Sequence, residues 1–171
     1  GNKVKLTTDK QTTLTGWNGI FNSGTVEADY TEFWFASEAI GCRNNGSFRV
    51  ENSLFRECSI AIRVYRNNSE TGQTYPKFKV FSNEFTDNGH AFMLQNAAAP
   101  LHDLSQIYGN IFTSNTHNFY FSGDNNVEIR CNQITTEDGE HIFEFGQKPD
   151  NGVSGEYSYN EHVYISFNNF Y

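Results

Sequence analysis

The 171-residue sequence predicts an all-β, single-domain parallel β-helix, a solenoid of about six coils with three short strands in each. Three observations carry that reading. A unit of about 22 residues recurs along the chain, and each unit holds three short apolar pieces. Two places before the anchor residue of the central piece stands a hydrogen-bonding residue, most often asparagine.

The repeat is clearest where Gly24–Phe33 aligns with Gly46–Phe55 at an offset of 22, both continuing to an Ala-Ile pair, Ala39-Ile40 and Ala61-Ile62. The first piece of a unit alternates apolar and polar, as in Val127-Glu128-Ile129. The second is anchored by one large residue: Phe33, Phe55, Phe85, Phe112, Ile134 and Phe170 in turn. The third alternates again, as in Ile62-Arg63-Val64 and Phe119-Tyr120-Phe121. Alternation over so few residues means short strands with one buried face. Three such strands cannot bury their apolar faces alone. Stacked units close a continuous core and pair in parallel.

Ahead of the anchors stand Thr31, Ser53, Asn83, Asn110, Asn132 and Asn168. Side chains stacked at a sharp bend donate and accept along the solenoid axis, and Asn83, Asn110, Asn132 and Asn168 form the expected asparagine ladder. Asparagine also tolerates the left-handed backbone that tight bends require.

This Val-x-Ile, Asn-x-Phe, Phe-x-Phe coil with its ladder resembles the right-handed parallel β-helix superfamily typified by pectate lyases. The resemblance covers residues 24–171 and leaves 1–23, with Trp17, as an N-terminal cap or a degenerate first coil starting at Val4-Lys5-Leu6. It implies right-handed winding and a substrate groove over the third strand. It implies no particular chemistry, since this fold hosts lyases, hydrolases, epimerases, adhesins and phage spikes. The sequence stops in mid-coil at Asn168–Tyr171, so the lower end is expected to meet further coils of a longer chain or an oligomer partner.

Anchor spacings of 22, 30, 27, 22 and 36 residues report insertions. Most extra residues fall after the third strand, in 66–76, 96–102 and 146–160. Loops inserted at one phase of a solenoid protrude from one side, either as a binding rim or as tolerated surface. The outward column of the adjoining third strand reads Gly41, Arg63, Met93, Tyr120, Glu144, followed by a column of Tyr65, Gln95, Ser122 and Gly146. Tyrosine offers sugar rings an apolar face and a hydroxyl, and Arg63 with Arg66 suits a carboxylate or sulfate. The candidate ligand-binding set is therefore Arg63, Tyr65, Arg66, Met93, Tyr120 and Glu144. The column lacks the aspartate cluster of a calcium-dependent lyase and the close aspartate pair of a hydrolase, so no catalytic residue is assigned.

A further column, Glu38, Ile60, His90, His117 and His141, stacks three histidines at about 4.8 Å per coil. Such a column either stacks structurally or holds a transition metal; no metal or other cofactor is assigned. The cysteines Cys42, Cys58 and Cys131 show no metal spacing and are too few for a disulfide framework.

The net charge of −8 argues against a nucleic-acid binder, and no apolar run of about 18 residues spans a membrane. Basic residues nonetheless concentrate between Arg43 and Lys79. The expected function is that of a secreted or cell-surface domain binding a polysaccharide or other glycan on the loop-flanked third-strand face. The alternatives are a polysaccharide lyase, hydrolase or epimerase (or a fragment of one) and a structural segment of an adhesin or phage spike.

Overall fold

The computed structural model describes residues 4–7, 17–43, 46–65, 76–95, 104–123, 125–146 and 162–171. Strands β1 (Val4–Thr7) and β2 (Ile20–Asn22) precede the first full coil, which holds β3 (Thr25–Asp29), β4 (Thr31–Trp34) and β5 (Glu38–Arg43). The second coil holds β6 (Ser47–Glu51), β7 (Leu54–Arg56) and β8 (Ile60–Tyr65), and the third β9 (Lys77–Phe81), β10 (Glu84–Thr86) and β11 (His90–Gln95). The fourth holds β12 (Ser105–Tyr108), β13 (Ile111–Thr113) and β14 (His117–Ser122). The fifth holds β15 (Asn126–Arg130), β16 (Gln133–Thr135) and β17 (His141–Gly146), and β18 (His162–Ser166) and β19 (Asn169–Phe170) begin a sixth.

The chain is a parallel β-helix. Its strands sort by their place in the coil into three parallel sheets: first strands β3 to β18, anchor strands β1 and β4 to β19, and third strands β2 to β17. The anchor residues pair coil to coil, Phe33 with Phe55, Phe55 with Phe85, Phe85 with Phe112, Phe112 with Ile134 and Ile134 with Phe170. Leu6 of β1 pairs with Phe33. No helix long and apolar enough to cross a membrane occurs among the described residues.

Parallel pairing sets identical rings one above another. Phe33, Phe55, Phe85 and Phe112 form one stack with centroids 4.6, 4.8 and 4.9 Å apart and near-parallel planes. Trp17 extends it upward, stacked on Phe33 at 6.4 Å, with its indole N–H donated to the Trp34 carbonyl. A second stack runs Phe92, Phe119, Phe143 beneath the third strands. The fully buried phenylalanines are the bulk of the core, which explains a composition of 16 Phe. At the lower end the inward residues Phe145 of the fifth coil and Ile165 and Phe170 of the sixth stand 58, 43 and 48% exposed.

The bends flanking the anchor strand determine the rest. At the first bend the residue before each ladder position is left-handed: Tyr30, Asn52, Ser82, Gly109, Cys131 and Phe167. The left-handed backbone thus falls one place earlier than the asparagines that tolerate it. The reason is that the ladder residue must turn its side chain inward. Its N–H points into the corner, where no strand carbonyl lies, and takes a side-chain oxygen from the coil below: Thr31 from Ser53, Ser53 from Asn83, Asn83 from Asn110, Asn110 from Asn132, Asn132 from Asn168. The Asn110 amide is fully used. Asn110 Oδ1 accepts from the Asn83 backbone N–H and Nδ2, while its Nδ2 donates to the Val80 carbonyl and to Asn132 Oδ1, all at 2.9–3.0 Å.

The second bend carries a shorter ladder of the same design. Phe35, Glu57, Asp87 and Ser114 are left-handed. The next residues connect, Cys58 N–H donating to Asn88 Oδ1 and Asn88 N–H to Asn115 Oδ1. The Asn115 amide then turns to Asn118 Oδ1, whose own amide reaches the His141 carbonyl, and the ladder stops where the fifth coil lengthens.

The cysteines are free thiols. Burial pushes Cys42 up to about 12 and Cys58 up to about 11, so both remain protonated and chemically quiet.

Asn110→Ala removes the acceptor of a buried N–H and the donor to a buried carbonyl, and is expected to cost about 2–4 kcal/mol. Exposed Asn169→Ala should cost far less. Urea unfolding of the two variants checks this, and equal losses would remove the ladder's claim on stability.

Candidate functional site

The outer face of the third sheet is built by register. Gly41, Arg63, Met93, Tyr120 and Glu144 lie one above another, as do Arg43, Tyr65, Gln95, Ser122 and Gly146. Arg66 and most of the inserted loops lie outside the described residues.

Arg63 is held from both sides. Its Nε and one terminal nitrogen donate to Gln95 Oε1 at 3.1 and 2.9 Å, and the other lies 3.4 Å from Glu38 Oε2. The guanidinium carbon sits 6.0 Å from the Tyr65 ring centroid. The three bonds occupy three of the five N–H groups and fix the plane of the cation. Its grip on an anion is therefore weaker than a free arginine's, and its orientation is set in advance. Gly41 makes this possible, since a Cβ there would collide with the Glu38 carboxylate and the Phe21 ring.

Tyr120 leans toward the next coil, over Gly146, where a Cβ would meet its hydroxyl. Its ring meets His90 edge-on at 6.1 Å. Met93 fills the position between Arg63 and Tyr120, partly buried.

The histidine column is in register through His141, despite the two extra residues before that strand. His90 and His117 stack at 4.4 Å, and His117 and His141 at 5.1 Å, with planes within 12°. Ring-nitrogen lone pairs lie in the ring planes, so parallel stacked imidazoles do not converge on one ion. Among the described residues no group of three or more His, Cys, Asp or Glu side chains is arranged to hold a metal.

His117 Nδ1 lies 2.7 Å from Glu144 Oε2. Both atoms are buried and have no other hydrogen-bond partner. The contact lacks hydrogen-bond alignment and is a charge pair when the imidazole is protonated. Both ring faces of His117 are stacked and its Nδ1 is buried.

The sequence placed every column of this face. It missed the sequestering of Arg63 by Glu38 and Gln95 and the pairing of His117 with Glu144. Both join residues in different columns as well as different coils, and the second is signalled only by complementary charge on neighbouring coils. Cavities elsewhere include one on the first sheet near Lys79 and another outside the first bend near Asn52. Comparison with protein-family models, curated proteins and solved structures finds no match.

Burial disfavours the charged form of His90, and the neighbouring His117 adds to this against the opposing pull of Glu144, so its pKa falls below the ordinary 6.5. The unfolded chain then binds the proton more tightly than the folded one. This contribution to stability is complete above the unfolded value and is lost as pH falls through the folded one. His117, Glu144 and Tyr120 are the titratable groups facing His90. The urea midpoint should therefore drop between pH 7.5 and 5, less steeply in His90→Gln. An unchanged slope in the variant would place the effect elsewhere.

Proposed function

We propose that the outer face of the third sheet binds an extended glycan, on a domain that works outside the cell, secreted or surface-bound. The observation that carries this reading is the Glu38–Arg63–Gln95 network. It spans three coils and holds a guanidinium flat beside Tyr65, above Met93. A fixed cation between aromatic and thioether surfaces suits the mixed apolar and hydroxylated faces of a sugar ring, and its two remaining N–H groups suit hydroxyl or carboxylate oxygens. The described face is a ledge of parallel columns with a repeat near 4.8 Å, which favours a chain laid across it over a small enclosed ligand.

A glycan-array screen tests this, with Tyr65→Ala/Tyr120→Ala beside the wild type. Both tyrosines are partly exposed, so the fold should persist. Selective binding that weakens at least tenfold in the double variant is expected. Failure of the folded wild type to bind any glycan would end the reading.

The His117–Glu144 pair favours a second reading, a polysaccharide-cleaving or epimerising enzyme. The Glu144 carboxylate sets a negative charge 2.7 Å from a histidine, an acid–base pairing of the kind such enzymes use, and Tyr120 on the same strand as His117 offers a phenolic proton. Under this reading Glu144→Gln lowers turnover of a bound polysaccharide about a hundredfold with binding retained. Product analysis by mass spectrometry decides; no product from any bound glycan would leave a binding face alone.

A further inference from the structure

We infer that the first sheet carries a second, separate site, for a compact ring bearing a sulfate or carboxylate. A cavity of about 180 Å³ opens there between Arg49, Lys77, Lys79 and Leu104, on the outer side of the strands whose Phe48 and Phe78 rings turn to the core. Its size matches a single six-membered ring.

The cations are gathered by register. Lys79 lies directly opposite Arg49, and Lys77 opposite Ser47, so three positive charges fall within two neighbouring coils of an acidic protein. Arg49 is already offset by Glu51 and by Glu27 opposite it on the coil above, which leaves Lys79 as the cation an anion would meet. Arg49 is steadied by Glu51, to which its Nε donates at 2.7 Å. Lys79 pairs with no acidic side chain among the described residues. No acidic residue lines the cavity.

The remaining walls define the ligand. Thr25 and Ser47 hydroxyls lie 3.0 Å apart at one side and supply donors for oxyanion oxygens or ring hydroxyls. Leu104, partly exposed, supplies the apolar wall, while the Phe48 and Phe78 rings stack at 5.2 Å within the core beneath. Inorganic sulfate leaves the Leu104 wall unused, whereas a sulfate or carboxylate on a ring uses both parts. An aromatic anion and a charged sugar residue share this chemistry. The site lies on a different sheet from Arg63 and Tyr120, and it does not depend on the glycan reading.

Calorimetric titration at matched ionic strength tests the proposal, using 4-nitrophenyl sulfate, glucose 6-sulfate and inorganic sulfate. At least one ring-borne sulfate should bind saturably and about tenfold more tightly than inorganic sulfate, the worth of burying roughly half of a small ring's apolar surface. Binding by the aryl compound alone identifies an aromatic anion, and binding by the sugar as well identifies a charged glycan residue. Lys79→Glu should weaken binding at least tenfold, and Lys79→Gln, which removes charge without reversing it, about threefold. Tyr65→Ala/Tyr120→Ala should leave it unchanged. Equal affinity for inorganic sulfate, indifference to both Lys79 variants, or loss in the tyrosine variant would overturn the site.

Discussion

Each coil turns two sharp corners around its anchor strand, and at each corner a backbone N–H points where no strand can meet it. Left alone, such a buried donor costs about 1–3 kcal/mol. In this protein a side-chain oxygen from the coil below takes it, most completely along Asn83, Asn110, Asn132 and Asn168. At the first bend each coil from the first to the fifth depends on the next. The ladder thereby turns a stack of marginal units into one cooperative structure and fixes which residues stand above which. It also carries backbone strain, since most residues preceding the corners hold a left-handed conformation without being glycine.

The same constraint decides where the chain can vary. The first bend is always one left-handed residue and one ladder residue, so it accepts no insertion. The second keeps a constant length through the second, third and fourth coils. In the fifth it lengthens, turns through Gly139 and ends its ladder at Asn118. The longest insertions fall at the corner between third and first strands. The ends of Tyr65 and Gln95 on one side and the starts of Ser47 and Lys77 on the other face this variable corner.

Much of the fold was legible because a solenoid writes its contacts as a period. Anchor phenylalanines, ladder asparagines and the outward columns of the third strand all follow from one alignment of coils. Left-handed residues escape such reading: Tyr30, Ser82, Cys131 and Phe167 share no chemistry, only the place before a ladder residue. The second ladder is short, and it runs from Cys58 through two asparagines to Asn118 in a different position. On the outer face the columns were readable but the crossings between them were not. Arg63 reaches Glu38 25 residues back and Gln95 32 residues on, because Gly41 opens a path that only three dimensions reveal.

Glycines at two points of the third sheet show how a repetitive scaffold makes a non-repetitive surface. Were every outward position filled, side chains would stand in parallel and meet only their own columns. Gly41 lets Glu38 fold across to Arg63, and Gly146 lets Tyr120 lie down toward the fifth coil. The result at the upper coils is a cation held in one plane. At the lower coils it is a tyrosine beside a carboxylate-paired imidazole. A face of this kind distinguishes one end from the other along its axis, which a ligand with its own direction, such as a polysaccharide chain, requires and a uniform ladder does not supply.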